Sequence, residues 1–437
     1  MQESKLRSSV MLRMIIVIVL TIILLIPTLF VQLLVSEREK RRDGAVKEVS
    51  QKWGGVQRIT GPVLSLPVVH TVKDENGKEY SSLRYYHILP DSISLSGDLQ
   101  PTVRYRGIYE AVLYNTVLSG RGSFSLTSNP FLQESEKKIV WKDAVVTIGV
   151  SDLKGIREEI AFRWNSTTLS AEPGSGACEA IKSGVTFKPN LSGVEVPYLF
   201  DFTLALNGSS ELQITSVGKQ TEVALVSSWR SPSFNGAFLP VTREISDNGF
   251  QARWKVLHLN RNYPQHWMGE QLNLDSGVFG VQLLLVADEY QKTMRTIKYA
   301  VLFIALTFLS FFLTEILAGQ VFHPIHYSLI GLALVLFYIV LLSLSEHMRF
   351  QYAYPVSTIV IVGLISAYTK AISRNGKVAV GIGGFLAVLY TFLYVVLQLE
   401  DYALLIGSGG LLLILALVMY LTRAVDWFSI GQSKETR

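Results

Sequence analysis

The sequence predicts a membrane α-helical bundle of about six transmembrane helices, with a large β-rich domain inserted between helices 1 and 2. Hydrophobic residues make up 49% of the 437 residues and charged residues only 17%, whereas soluble domains average about 25% charged. The apolar residues are concentrated in the first 35 residues and in roughly the last 140. Between them, apolar and polar residues alternate, as they do in half-buried strands.

The first apolar run, Met14–Val35, contains 22 residues without a charge. A helix of this length spans the hydrocarbon core of a bilayer, which is about 30 Å thick. A cleaved signal peptide is the alternative, because Lys5, Arg7 and Arg13 precede the run. The run is longer than the apolar part of a signal peptide and lacks a small-x-small cleavage site. We therefore assign residues 1–35 to a cytoplasmic N-terminus and an uncleaved anchor helix.

Residues 36–55 predict a charged stalk helix, in which Glu37–Arg41 and Glu48–Lys52 are acid-before-base pairs one turn apart. Residues 56–297 predict a β domain of one or two sandwich-like layers. Gly, Pro, Asn and Ser residues separate its expected strands, which include Val63–Val69, Val112–Leu118, Ile139–Val150, Leu199–Leu206, Glu211–Val217 and Glu222–Ser227. The only cysteine, Cys178, excludes an intrachain disulfide and a cysteine-based metal site.

Residues 298–422 predict a five-helix bundle, and residues 423–437 a cytoplasmic tail. The expected spans are Lys298–Ile316, Tyr327–Leu344, Ala353–Ile372, Val378–Leu397 and Ala403–Leu421. Six crossings place both termini on one side of the membrane. Basic residues accumulate in that side's terminal segments and short loops, at Lys5, Arg7, Arg13, Lys370, Arg374, Lys377, Arg423, Lys434 and Arg437, against Arg349 alone in the opposite short loops. This asymmetry predicts cytoplasmic termini and an extracytoplasmic β domain.

The net charge of +5 invites a nucleic-acid interpretation, but loop positions that fix membrane orientation account for it, and we expect no nucleic-acid partner. Fragments of penicillin-binding motifs occur, but their order and strand-like context differ from that family. They are Ser135–Lys138, Ser151–Lys154, Ser216–Lys219, Ser246-Asp247-Asn248 and Lys182-Ser183-Gly184. We expect no enzyme activity and no cofactor. An enzyme acting on the cell wall or on lipid precursors is the alternative.

The histidines are weak candidates for chemistry. A triad assembled in space could use the outer-domain residues His70, His87, His258 and His266, although ordinary buried or solvent-facing histidines are favoured. His323 and His326, with Glu315 nearby, could suggest a metal site. An interfacial loop between two membrane helices is favoured instead, and we expect no metal.

Glu315, Glu346 and His347 lie near the ends of predicted membrane helices. Ionisable groups are less costly there than at the middle of the membrane. A transporter would be expected to carry charges near mid-membrane or paired broken helices. The sequence shows neither feature, so a lipid or solute transporter is kept only as a disfavoured alternative.

Several strings are too particular for a generic membrane protein: Ser231–Trp254, Ala287–Tyr299, His323–Tyr327 and Leu342–His347. Together with Gly61-Pro62 and Glu172–Gly176 they resemble the CreD family of bacterial inner-membrane proteins, also described as cell-envelope integrity proteins. One departure is His326, where the family usually has Gln. The resemblance implies a Gram-negative-type inner membrane, a periplasmic β domain and a role in envelope integrity and stress responses. It supplies no catalytic residues.

The same strings, together with Glu315 near a helix end, provide the candidate interaction residues, for which a structural role and an interaction surface are both open interpretations. They are Phe234, Phe238, Phe250, Trp254, Tyr290, Arg295, Lys298, Glu315, His323, Glu346 and His347. The four aromatics, spaced with Gly236 and Gly249, suggest a hairpin with tight turns. Tyr290, Arg295 and Lys298 suggest a membrane-interface anchor or a lipid-headgroup site. The expected partners are the lipid bilayer and other envelope proteins or peptidoglycan-related components, with the oligomeric state open.

Overall fold

The computed structural model describes residues 10–73, 79–127, 129–135, 138–191, 193, 197–269, 272–285, 289–318, 322–399 and 402–423. The predicted tail beyond Arg423 and the first nine residues lie outside the described residues. The contacts divide the chain into two units. Met1–Arg42 with Ala287–Arg437 form the helix bundle, and Asp43–Val286 form the β domain.

Six of the described helices are long and apolar enough to cross a membrane, which confirms the predicted helical part of the fold class. Their ends lie within three residues of the five predicted C-terminal spans. The anchor and the stalk are one helix that continues through Pro27. The α-helices are α1 Val10–Trp53, α2 Pro130–Ser135, α3 Glu289–Lys298, α4 Ala300–Ala318, α5 Pro324–Ser345, α6 Phe350–Ser373, α7 Gly376–Gln398 and α8 Ala403–Thr422.

Helix α1 contacts the bundle through one face, because its buried residues Leu24, Thr28, Val31 and Val35 recur every three or four positions. At Gly331 of α5 an added Cβ would lie 2.1 Å from Leu24 Cδ1, so a glycine permits the close approach of the two helices.

Helix α3 is amphipathic and buries Tyr290, Thr293, Thr296 and Ile297. It packs against α5, α6 and α7. The sequence analysis assigned these residues to the outer domain, whereas their contacts place them with the bundle. Helix α3 also carries charged residues, which lower its average hydropathy, so a hydropathy profile does not assign it to the bundle.

The β domain is a two-layer sandwich. The strands are β1 Gln57–Lys73, β2 Glu79–Ile88, β3 Ser92–Arg106, β4 Tyr109–Phe124, β5 Val145–Val150, β6 Ala161–Trp164, β7 Thr167–Leu169, β8 Glu172–Pro173, β9 Gly184–Phe187, β10 Tyr198–Ser209, β11 Glu211–Thr215, β12 Gln220–Ser227, β13 Pro232–Gly236, β14 Thr242–Ser246, β15 Gly249–Leu257, β16 His266–Met268 and β17 Val278–Leu283. Short 3₁₀ turns lie at Trp141–Asp143, Leu153–Gly155, His258–Asn260 and Asp275–Gly277.

Nine strands form the first sheet, in the order β13-β17-β11-β1-β5-β9-β8, with β2 on β1 and β16 on β2. Eight form the second sheet, in the order β14-β15-β12-β3-β4-β10-β6-β7. The pairs β1–β11 and β3–β12 are parallel. One hydrophobic core lies between the sheets, as the stacking of Phe162 of β6 on Phe187 of β9 at 4.3 Å shows.

Two local expectations need correction. The predicted strand Ile139–Val150 starts only at Val145, because Ile139 makes an isolated bridge to Val68 and a 3₁₀ turn follows. The four aromatics Phe234, Phe238, Phe250 and Trp254 do not share a hairpin. Phe234 lies on β13 of the first sheet, and Phe250 and Trp254 lie on β15 of the second. The hairpin here joins β14 to β15, with Gly249 at φ +126° starting its second strand.

Candidate functional site

A row of charged and hydroxyl side chains crosses the second sheet perpendicular to its strands. Register places Lys255 opposite Glu222, Glu222 opposite Ser94, and Ser94 opposite Arg121. The row continues from Arg121 to Asp201 and from Asp201 to Arg163. Alternate residues of a strand point to the same side of a sheet. The row therefore forms a continuous polar band over six strands.

Serines flank this band on two strands. Ser92 and Ser96 of β3 pair with Ser123 and Ser119 of β4, and the Oγ atoms of Ser92 and Ser123 lie 3.0 Å apart. A shallow concavity of about 910 Å³ lies over these residues. We name this surface the polar sheet face; it comprises Ser92, Ser94, Ser96, Ser119, Arg121, Ser123, Arg163, Asp201, Glu222 and Lys255.

The core beneath the polar sheet face explains why small residues flank Arg121. A Cβ on Gly120 would lie 2.3 Å from the Phe202 ring, and one on Gly122 would lie 2.6 Å from the Phe200 ring. Two glycines therefore let the aromatic rings of β10 pack directly under β4. The alternating positions, Ser119, Arg121 and Ser123, point outward.

Opposite charges alternate along the polar sheet face. The Arg163 Nε atom lies 3.0 Å from both carboxylate oxygens of Asp201, and Lys255 Nζ lies 3.4 Å from Glu222 Oε1. Arg121 is exposed between these pairs and has no ion pair within the described ranges. The face can accept both an anionic and a cationic group of one ligand. The strings Ser-Ile-Ser-Leu-Ser and Ser-Gly-Arg-Gly-Ser are its sequence signal, and our sequence analysis missed it.

A second polar group, the Glu346 cluster, lies at one end of the helix bundle and comprises Arg38, Arg42, Tyr290, Thr293, Ser345 and Glu346. The Tyr290 hydroxyl donates to Glu346 Oε1 at 3.2 Å, and Arg38 Nε lies 3.7 Å from the same oxygen. The Arg42 guanidinium carbon lies 5.4 Å from the centroid of the Tyr290 ring. The structure thus joins two of the predicted candidates, Tyr290 and Glu346, to Arg38 and Arg42 within helix α1.

Glu289 strengthens this end of the bundle. Its Oε2 atom accepts a hydrogen bond from the Phe350 backbone N–H at 2.9 Å. The acceptor lies at the start of α6, where unsatisfied N–H groups and the helix dipole favour a negative charge. Three helices, α1, α3 and α5, and the start of α6 therefore meet around two carboxylates. This arrangement joins α1 to the start of α3, the end of α5 and the start of α6.

The predicted His323–His326 segment lies at the opposite end of the bundle. Glu315 Oε1 accepts from the Phe322 backbone N–H at 2.7 Å, and the His323 ring caps the start of α5. His326 Nδ1 lies 2.7 Å from the Tyr368 hydroxyl. Each group has a structural partner, and no cluster of three potential metal ligands occurs among the described residues.

The remaining candidates are spread over both units. Phe250 and Trp254 are buried in the core of the β domain, and the Phe234 ring lies 5.6 Å from Trp254 across the two sheets. Phe238 is partly buried, 6.0 Å from Phe279. Two of the four aromatics therefore have no surface to offer a partner. Lys298 ends α3 in an exposed position, Arg295 is half-buried on the same helix, and His347 is exposed and bonded to the Ser343 carbonyl.

One serine–histidine pair lies in the β domain. Ser65 Oγ and His87 Nδ1 are 2.8 Å apart on neighbouring strands. Both residues are buried, the Trp267 ring stacks on the imidazole at 4.8 Å, and no carboxylate bonds to His87 in the described part of the chain. Burial lowers the pKa of His87 to about 4. The pair lacks the access and the third member that acyl transfer requires.

Other candidate nucleophiles are also occupied. Ser151 Oγ donates to the Val56 carbonyl at 2.7 Å and accepts from the Arg58 N–H at 2.8 Å, at the end of a strand. Ser246 lies next to the β14–β15 turn. Cys178 is buried, and that burial raises the pKa of its thiol to about 11. The Ser135–Lys138 fragment includes residues outside the described ranges.

Two comparisons with known proteins follow from the sequence. A family model described as "Inner membrane protein CreD" matches residues 9–428. The chain is also 31% identical over 428 residues to "Inner membrane protein CreD" of Escherichia coli (strain K12). That alignment covers 94% of this chain and 92% of the relative. The family match includes the apolar helices and the whole β domain.

Proposed function

The chain belongs to the CreD family of inner membrane proteins, and from that premise we propose that it is a non-enzymatic envelope-integrity protein. In this proposal the β domain is periplasmic and contacts the envelope, and helix α1 couples it to the membrane bundle. The role belongs to stress responses of the envelope. The family assignment confirms the resemblance inferred from the sequence, and the coupling goes beyond it.

The observation that carries the proposal is that α1 is one continuous helix with anchors at both ends. In the bundle, Arg38 pairs with Glu346 beyond the buried face of α1. In the β domain, Glu48 pairs with Arg106 at 3.2 Å, and Trp53 Nε1 donates to the Tyr114 carbonyl at 3.4 Å. A helix fixed at both ends transmits a displacement or a torque that a flexible linker would absorb.

The polar sheet face supports a peptidoglycan-related partner. Peptidoglycan combines sugar hydroxyls with peptide carboxylates and amines. The face offers serine hydroxyls beside alternating Arg121, Asp201 and Arg163 side chains, so it complements all three groups. Charged hydrogen bonds of this kind contribute about 1.5–3 kcal/mol each.

Binding to purified sacculi tests this partner. Arg121→Gln and Arg163→Gln should each weaken retention of the full chain on sacculi by at least tenfold. Arg104→Gln, an exposed arginine farther along β3, is the matched control and should bind as the parent chain does. Equal retention of all three variants would contradict the assignment. If the parent chain released soluble fragments from sacculi and Ser65→Ala abolished that release, the non-enzymatic proposal would be contradicted.

Gly44 offers a test of the coupling itself. It lies within α1, and an added Cβ would meet no atom within 4 Å. Gly44→Ala should stabilise the helix by about 1 kcal/mol, whereas Gly44→Pro should destabilise it by about 3 kcal/mol and break it. Added sacculus fragments should change hydrogen exchange in α5 and α6 of the parent and the alanine variant. The proline variant should bind the fragments without that change. A bundle response retained in the proline variant would refute coupling through α1.

A further inference from the structure

A half-open groove of about 350 Å³ lies between helices α4, α7 and α8 of the bundle. Its lining is almost wholly apolar, with Leu313, Phe385 and Leu417 among the larger side chains. The two hydroxyls of the lining are already engaged: Ser310 donates to the Thr307 carbonyl at 2.7 Å and Thr314 to the Ser310 carbonyl at 2.8 Å. The groove therefore suits hydrocarbon and offers little to a polar solute.

The groove reaches the same end of its three helices. Leu317 near the end of α4, Val378 near the start of α7 and Leu421 near the end of α8 all line it. Two exposed basic residues stand beside this end: Lys377 directly precedes Val378, and Arg423 follows Leu421 by two positions. The Arg423 guanidinium carbon lies 4.0 Å from the centroid of the Tyr420 ring, which positions the charge at the end of α8.

We propose that this groove binds an anionic phospholipid, with one acyl chain between α4, α7 and α8 and the phosphate between Lys377 and Arg423. An apolar groove in a transmembrane bundle faces acyl chains, and basic side chains at a membrane surface attract anionic headgroups. The charges at the rim select an anionic phospholipid over a zwitterionic one. This site is independent of the polar sheet face and of the coupling through α1.

Gly381 makes the groove testable without distorting the bundle. It lines the groove, and an added Cβ would meet no atom within 4 Å. In Gly381→Leu the new side chain projects into the space that the acyl chain would fill. Gly384 on the same helix also has free space at its Cβ position but does not line the groove. Gly384→Leu is therefore the matched control.

The experiment titrates the delipidated full chain, in an uncharged detergent, with phosphatidylglycerol and with phosphatidylcholine of identical acyl chains, and counts bound lipids by native mass spectrometry. The parent chain should bind phosphatidylglycerol roughly twenty-five-fold more tightly, since each of the two basic side chains near the anionic headgroup contributes about fivefold. Lys377→Gln with Arg423→Gln should abolish this preference. Lys370→Gln, at an exposed basic residue of α6, should retain it.

Gly381→Leu should weaken binding of both lipids, and Gly384→Leu should bind both as the parent does. Equal affinity of the parent for the two lipids would overturn the phosphate contact. Unchanged binding by a Gly381→Leu protein that keeps the parent's melting temperature would overturn the groove. If Gly381→Leu does not fold, the glutamine pair at exposed positions still decides the proposal, because lost selectivity supports it and retained selectivity overturns it.

Discussion

The bundle and the β domain differ in where their apolar side chains lie, because the bundle exposes many of them and the β domain buries most of its large ones. In the β domain the large apolar residues lie between two sheets, and the second sheet's outer face carries serines and charges. In the bundle, apolar side chains of α8 point outward, and none of that helix's most apolar window is buried. Buried polar residues in the bundle include Thr28, Thr293, Thr296, Glu315, Ser345, Ser357 and Thr369.

This difference shows that burial alone does not identify the residues that stabilise this chain. Whether water or lipid surrounds a unit decides which side chains stabilise it. A buried hydroxyl in the bundle is accommodated by its own helix, as when Ser357 donates to the Ala353 carbonyl and Thr369 to the Ile365 carbonyl. In the β domain, stability depends on aromatic rings removed from water. Substitutions at matched exposure should therefore have effects of very different size in the two units.

The largest effect is expected in the sandwich core. Trp254 is only 2% exposed, contacts Phe234 and Phe279, and donates from Nε1 to the Phe238 carbonyl. Trp254→Ala should lower the free energy of unfolding of the β domain by about 3–5 kcal/mol through cavity formation. Denaturant unfolding followed by tryptophan fluorescence measures it. Leu259 is 80% exposed, so Leu259→Ala should leave the midpoint unchanged, and an equal loss there would refute the core assignment.

Two lysine substitutions at equally exposed leucines compare a lipid-facing position with a water-facing one. Leu412 in the middle of α8 and Leu239 in the β domain are both 67% exposed. Leu412→Lys should disfavour membrane integration by about 3 kcal/mol, because a charge at the centre of a spanning helix is costly. Leu239→Lys should change stability by less than about 0.5 kcal/mol, as surface substitutions in water do. An integration assay for α8 and thermal unfolding measure the two effects, and equal effects would contradict the distinction.

The Ser65–His87 pair should make the β domain acid-sensitive. Burial lowers the pKa of folded His87 to about 4, against 6.5 in the unfolded chain. Between those values the unfolded state binds more protons, so this contribution to stability is complete above pH 6.5 and is lost as the pH falls through 4. The loss should be about 3 kcal/mol. Between pH 7 and pH 4, the denaturant midpoint of His87→Gln should fall less than that of the parent chain. The exposed-site control His258→Gln should show the same pH dependence as the parent.

The smallest effect is expected in the Glu346 cluster. Tyr290→Phe removes the hydroxyl that donates to Glu346 and should lower the stability of the bundle by about 1–2 kcal/mol. Tyr352→Phe removes an equivalent hydroxyl from a residue that is mostly exposed and should have no measurable effect. Thermal unfolding in detergent compares them. Indistinguishable melting temperatures would show that the hydrogen bond does not stabilise the bundle.

The sequence was sufficient for whatever depends on local composition. Hydropathy located the long membrane helices, and period-two alternation located parts of six strands, β1, β4, β5, β10, β11 and β12, because each signal lies within about twenty consecutive residues. The polar sheet face depends on register between strands as distant as Ser94 and Glu222. Tyr290 and Glu346 are 56 positions apart, and only the packing of α3 on the bundle joins them. Such long-range pairings carry no periodic signal, so sequence patterns could not predict them.

The most direct test of the account uses single exposed cysteines and a membrane-impermeant maleimide on intact spheroplasts. The native thiol gives no background, because Cys178 is buried and burial raises its pKa to about 11. We expect Arg104→Cys in the β domain to be labelled on intact spheroplasts, and Arg374→Cys, between α6 and α7, to be labelled only after permeabilisation. Labelling of Arg374→Cys on intact spheroplasts, with Arg104→Cys protected, would contradict the account.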